Sequence, residues 1–337
     1  MKNRILYLDI IRILACVMIV AMHAPIPNTG LNNYILSADS LLTAPGIGLF
    51  IMVSGSLLLP VNIPTKHFLK KRIEKIAFPT LFWTFFYMLM YWYDYGHEAS
   101  DMCRSLLSLP FSSQFCGVLW FMYMLTGLYL LAPILSPWLK QTSKRELEFY
   151  LLLWAITICF PYIRDFVCVN ESHTGILYYF GGYVGYFLLG FYLMTYVEML
   201  AIWKCFILLL IPLSIASMLK IQQIPVRFYD SFWYLSLGVA MMSAAWFALV
   251  KRVNIVYNSA LRLHRGLALV SNCCFGIYLV HIFIMRSIIW NWSWLYDLGT
   301  IQILMVTLLT FVGSFVVTWL ISYLPGAEYI IGFKQRK

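Results

Sequence analysis

Ten stretches of this chain are long enough, or nearly so, to cross about 30 Å of hydrocarbon. They lie near residues 5–23, 41–59, 76–93, 117–136, 147–163, 175–194, 201–218, 232–250, 267–289 and 300–322. Lipid offers a peptide backbone no hydrogen-bond partners, so such stretches fold as helices that satisfy their own N–H and C=O groups. Composition agrees. The chain is 62% hydrophobic and 11% charged, where a soluble domain carries about 25% charged residues. The reading is an all-α, polytopic membrane bundle of about ten transmembrane helices, a single domain over residues 1–337. Met1 to Arg4 is basic, but the apolar stretch after it is too long for a signal-peptide core and contains Asp9. No cleavage is expected there.

The net charge of +10 reads as positive-inside bias rather than nucleic-acid binding. With the N-terminus in the cytoplasm, 18 of the 24 Lys and Arg residues fall in cytoplasmic segments. Arg104, Arg164, Lys220 and Arg227 fall outside, and Arg12 and Arg286 lie within spans. The outer loops hold Asp39, Asp94, Glu98, Asp101, Asp165, Glu171, Asp230 and Asp297. Both ends are therefore expected in the cytoplasm. The eight cysteines include no CxxC and no metal-ligand spacing, so no metal is expected. Cys103, Cys116 and Cys168 fall in or near external loops, where a disulfide can form. Trp290, Trp292 and Trp294 flank the outer end of the ninth span, as belt anchors or as a sugar-stacking platform.

The first span carries Asp9 and Arg12 and ends on His23. A charge at the bilayer centre costs about 2.5–3.5 kcal/mol on insertion scales and marks a protein interior or a functional site. At about 100° per residue, Arg12 and His23 differ by only about 20° around the helix, and Asp9 lies within about 60° of Arg12. The three share one stripe, with about 16 Å of helix between Arg12 and His23. One reading is a self-neutralising Asp–Arg pair at i, i+3 beside an interfacial histidine. The other is a buried passage, with His23 as general base or acid, Arg12 binding an anionic ligand group and Asp9 orienting Arg12.

Three further groups stand out. The basic run Lys66 to Lys75, with Lys71, Arg72 and Lys75, joins the second and third spans. It serves as an anchor on anionic lipid or as a phosphate clamp for a cytosolic polyanion. In Phe50 to Gly55, Ser54 and Gly55 either allow close helix packing or present a hydroxyl and leave room for a ligand. In Phe275 to His281, His281 is a satisfied core residue or a second pore-lining group beside Tyr278.

These residues resemble acyltransferase family 3 of bacterial membrane proteins. Asp9 and Arg12 followed by His23 resemble its Arg-x10-His element, and Phe50 to Gly55 its Phe-x-x-x-Ser-Gly step. The segment from Phe68 to Pro79 resembles its basic Arg-x-x-Arg region. Leu119-Trp120-Phe121, Gly127 to Leu130, Tyr183 to Gly190 and Phe275 to His281 are similar to recurring blocks, in order, from about residue 5 to 320. Ile13 departs from the glycine that often follows the arginine. Lys75 stands where a second arginine is usual, which removes one bidentate phosphate fork. Gly117 and Val118 stand where some relatives carry a histidine.

The resemblance implies transfer of an acyl group, most often acetyl, from cytosolic acyl-coenzyme A to a hydroxyl on a cell-envelope or lipid-linked glycan. The setting it implies is the bacterial cytoplasmic membrane. It places His23, Arg12 and Asp9 at the chemistry, with Arg72, Lys75, Lys71, Ser54 and Gly55 toward the donor. Trp120, Tyr278 and His281 line the substrate path, and Ser54 and Tyr278 are candidate oxyanion donors. A transporter or flippase for a glycan or lipid precursor is the competing expectation, because intramembrane charges serve transport equally well.

Overall fold

The computed structural model describes residues 4–95, 99–111, 117–160, 176–222, 232–253 and 261–335. The helices are α1 (Leu6–His23), α2 (Asn33–Thr43), α3 (Pro45–Leu58), α4 (Thr65–Tyr95), α5 (Ala99–Ser108), α6 (Trp120–Gln141) and α7 (Lys144–Thr157). They continue with α8 (Val184–Thr195), α9 (Ile202–Ile221), α10 (Leu237–Lys251), α11 (Arg262–Ser287), α12 (Ile301–Ile321) and α13 (Ala327–Ile331). Among the described residues there is no strand. Cys116 and Cys168 lie outside the described residues, as does the side chain of Cys103.

Among the described residues, six helical stretches are long and apolar enough to cross a membrane: 6–23, 33–58, 117–141, 202–221, 262–291 and 301–321. The protein is a multi-pass membrane protein built from helices. The other expected spans correspond to elements of different character. α4 has 31 residues, but its first turns are the basic run Lys66 to Lys75. α7, α8 and α10 have 14, 12 and 15 residues. The expected second span begins eight residues earlier than its apolar pattern, because Asn32 caps α2 by accepting from the Tyr34 amide at 2.9 Å. Pro45, at the first position of α3, divides that stretch in two.

α1 occupies the middle of the bundle and contacts α2, α3, α10, α11 and α12. Ile11, Ala15 and Val20 on it are wholly buried. Lipid gives helices no hydrophobic reason to associate, so close van der Waals approach and interhelical hydrogen bonds hold such a bundle. α3 and α8 show both. Gly55 faces the Phe187 backbone, where an added Cβ would come within 1.9 Å of the carbonyl oxygen. Gly190 faces the Met52 backbone in the same way, at 2.0 Å. Beside them, the Ser56 hydroxyl donates across the interface to the Gly190 carbonyl at 2.8 Å.

Elsewhere polar side chains tie helices to carbonyls. Tyr87 donates to Leu279 O at 2.9 Å and Tyr186 to Tyr234 O at 2.6 Å. Lys251 closes the C-terminal end of α8 by donating to the carbonyls of Leu193 and Val197 at 2.8 and 2.6 Å, where the helix dipole favours a cation. The chain end folds back against the bundle. Trp83 donates to Ile330 O at 2.9 Å, and the Gln335 amide to Ser322 O at 3.0 Å. Gly332, at φ +68°, lies so close to the Lys75 carbonyl that a Cβ would meet it at 2.7 Å.

The glycine contact gives a direct test. Gly55→Leu must force α3 away from backbone atoms that cannot rotate aside, at the upper end of the 1–3 kcal/mol typical of overpacking or beyond. Gly127, on α6, has nothing within 4 Å of an added Cβ. Gly55→Leu should lose the monodisperse species in detergent size-exclusion chromatography, whereas Gly127→Leu should retain it.

Candidate active site

α1 and α11 run parallel: their contacts advance together along both helices, with sequence offsets of 262 at Asp9–Ser271, 259 at Arg12–Ser271 and 258 at Cys16–Cys274 and His23–His281. Arg12 meets Ser271, Cys16 meets the Cys274 carbonyl, and His23 meets His281. On α11 the residues 271, 274, 278 and 281 recur at helical spacing, so that helix presents one polar seam to the stripe on α1. The stripe read from sequence therefore has a partner helix, and chemistry-bearing groups gather at the two ends of the seam.

At the first end Asp9, 5% exposed, is a hub. Arg4 grips it with two hydrogen bonds, Nε to Oδ2 at 2.5 Å and Nη2 to Oδ1 at 3.0 Å. Ser271 donates to Asp9 Oδ1 at 2.6 Å and accepts from Arg12 at 3.0 Å. Arg12 itself stands 3.8 Å from Asp9. The expected Asp9–Arg12 pair is thus a four-residue cluster in which Ser271 relays the contact and Arg4 holds the carboxylate. Arg4 also donates to Ala268 O and Asn272 Oδ1 at 2.9 and 3.2 Å. Two guanidinium groups share one carboxylate, which leaves net positive charge. Beside the cluster opens a cavity of about 430 Å³ lined by Arg4, Arg265, Asn272, Lys334 and Gln335, among others.

At the other end His23 lines a cavity of about 830 Å³ with Tyr87, Tyr91, Asp94, Trp120, Tyr183, Trp233, Tyr234 and Arg286. The aromatic rings form a continuous wall. Trp120 lies 5.4 Å from Tyr183 and 5.6 Å from Tyr234 between centroids, and Tyr234 lies 4.2 Å from Trp233. Arg286 lies over the Trp290 ring at 5.6 Å, a cation–π contact. His281 does not line this cavity. It is wholly buried behind His23, with ring centroids 5.6 Å apart.

Trp120 and His23 line one cavity, and the other candidates lie elsewhere. Arg12 lies in the Asp9 cluster and not on the wall with His23, because Ala15, Cys16 and Ile19, all buried to 2% or less, fill the helix face between them. A single passage lined by both is not what these side chains form. Tyr278 donates its hydroxyl to the Val118 carbonyl, so that proton is already directed away from a reacting carbonyl. Ser54 accepts from the Tyr129 hydroxyl at 3.2 Å, between α3 and α6, and lines neither cavity. Gly55 meets helix backbone rather than open space.

Lys71, Arg72 and Lys75 sit together at the start of α4, with Arg72 over the Phe68 ring at 5.8 Å. Partial burial, and then the charges of Arg72 and Lys71, lower the Lys75 ammonium below the ordinary lysine range. These residues adjoin the first cavity through the Lys75–Gly332 contact, next to Phe333 and Lys334. Trp233, Tyr234 and Arg286 carried no site role in the sequence, and Tyr183 entered only at the head of a recurring block. The available signal was Arg286, an intramembrane arginine that entered only as an exception to the charge count. Among the described residues no three or more His, Cys, Asp or Glu come together as a metal site would require.

The Asp9 cluster predicts an asymmetry. Asp9→Asn leaves Arg4 and Arg12 without their shared counter-charge. With Asp9 buried and Arg4 30% exposed, the loss should fall between surface and buried limits, about 1–3 kcal/mol. Adding Arg4→Gln to Asp9→Asn should recover part of it, as read from detergent unfolding midpoints.

No curated protein and no solved structure matches this chain. The family model Acyl_transf_3, described as an acyltransferase domain, matches residues 5–323 and so takes in both ends of the α1–α11 seam. The chain belongs to acyltransferase family 3 and is a membrane acyltransferase.

Proposed function

We propose that this protein moves an acyl group, acetyl in the simplest case, from cytosolic acyl-coenzyme A to a hydroxyl of a cell-envelope or lipid-linked glycan. The membrane is the bacterial cytoplasmic membrane, crossed ten times with both chain ends in the cytoplasm. The observation that carries the reading is the large cavity, in which one imidazole meets an aromatic wall. Concave sites with a few convergent polar groups bind small ligands. Tyr and Trp offer flat apolar faces with polar edges, which suits a sugar ring.

The donor is a polyanion and approaches the basic end of the bundle. There Lys71, Arg72 and Lys75 crowd one another, and Arg4, Arg265 and Lys334 surround the smaller cavity. Charge-assisted hydrogen bonds to phosphate are the strong kind. Arg12, deeper along α1, meets the arm that carries the thioester. The seam then has to part between Arg12 and His23, where Ala15, Cys16 and Cys274 are small. His23 takes the proton of the acceptor hydroxyl as its oxygen attacks the thioester carbonyl. The tetrahedral adduct collapses, the C–S bond breaks, and His23 returns the proton to the departing thiolate. Arg286, on the same cavity wall, supplies positive charge near the oxyanion.

Two measurements test this. Purified His23→Ala should stay folded and lose about 10²–10⁴-fold in glycan-dependent release of coenzyme A. An unchanged rate, or movement of unmodified glycan with no thioester consumed, overturns the reading. Arg72→Gln with Lys75→Gln should raise KM for acyl-coenzyme A severalfold and leave kcat near wild type, because both side chains lie far from His23.

A further inference from the structure

We infer that His281 is the positioning partner of His23: its Nε2 accepts an N–H from His23 and so sets which His23 nitrogen faces the large cavity. The inference rests on His23 being the base.

His281 is wholly buried in the middle of α11. Its Nδ1 lies 2.6 Å from the Tyr278 carbonyl oxygen, one turn back. A carbonyl oxygen only accepts, so Nδ1 carries the ring proton. A neutral imidazole holds one such proton, which makes Nε2 a lone-pair acceptor. That Nε2 is buried and has no hydrogen-bond partner. A buried acceptor left unsatisfied costs about 1–3 kcal/mol, so the site favours any arrangement that brings it a donor. The His23 ring is adjacent, 5.6 Å away between centroids and tilted by 31°. Rings at that separation are close enough for a His23 N–H turned toward His281 to approach its Nε2.

The chemical consequence follows from tautomers. With one His23 nitrogen donating to His281, the other presents its lone pair to the cavity and the acceptor hydroxyl. When His23 takes the proton it becomes an imidazolium with two N–H groups. One still rests on His281 Nε2, and the other is ready for the leaving thiolate. In the familiar triad a carboxylate holds the catalytic histidine this way. A neutral imidazole does the same work without placing a second charge at membrane depth, where desolvation is costly. The Tyr278 carbonyl completes the chain by keeping the proton on His281 Nδ1.

The test combines kinetics with a readout independent of turnover. His281→Leu should lower kcat about tenfold to a hundredfold, part of the 10²–10⁴ that a positioned base contributes, with KM for both substrates unchanged. His281→Gln, which keeps an acceptor oxygen, should recover most of kcat. Nitrogen NMR of histidine-labelled protein should show a single His23 tautomer in the wild type, and mixed tautomers in His281→Leu. Equal kcat in all three proteins overturns the inference. So does equal loss in Leu and Gln at wild-type melting temperature, or a His23 tautomer indifferent to residue 281. If His281→Leu fails to fold, the Gln variant's kcat and the wild-type spectrum still decide the matter. A His23 tautomer that depends on His281 in a protein with no acyl transfer would refute the proposed activity and leave the pairing intact.

Discussion

The parallel seam between α1 and α11 is the constraint on which the rest depends. In lipid, a polar side chain on an isolated helix has nowhere favourable to go. Asp9, Arg12, Cys16 and His23 therefore require a second helix that answers them position by position, and Ser271, Cys274 and His281 do so. Parallel orientation lets the contacts advance in step along both helices, so Cys16 and His23 on α1 meet Cys274 and His281 at the same spacing on α11. Once the two helices are locked, α3, α10 and α12 pack around α1, and the two cavities open where the seam ends.

The two ends differ in chemistry because they differ in what surrounds them. At the Asp9 end one carboxylate is shared by Arg4 and Arg12, and Arg265 and Lys334 stand nearby, so the environment favours anions. At the His23 end rings from α6, the turn before α8 and the segment before α10 converge on one imidazole and one guanidinium. The two ends thus offer one surface suited to anionic groups and one suited to flat rings. Between the two ends the seam is made of small and apolar residues. Ala15, Cys16 and Cys274 there are almost wholly buried and fill the space between the two cavities.

Much of this was legible in the chain. The apolar stretches and the scarcity of charge require membrane helices, and the helical spacing of Asp9, Arg12 and His23 places them on one stripe. The motif around them carries the family resemblance that the family model shows. Other points were not legible. Arg4 looks like a surface anchor until the fold wraps it onto Asp9, five positions along. Gly55 reads equally well as ligand space or as packing, and only the Phe187 backbone beside it decides. Tyr278 looks like a free hydroxyl until the carbonyl of Val118, far away in sequence, accepts its hydrogen bond.

Sequence by itself determined the medium, the helical class and the stripe on the first helix, because these follow from local properties: hydrophobic length, backbone satisfaction and a period of 3.6 residues. Tertiary structure alone decided the partners. Which helix faces the stripe, which aromatic residues share a cavity with His23, and that His281 stands behind it are outcomes of packing between segments remote from one another in the chain. Such contacts leave no local pattern, since each side chain would look the same in a helix that met a different neighbour.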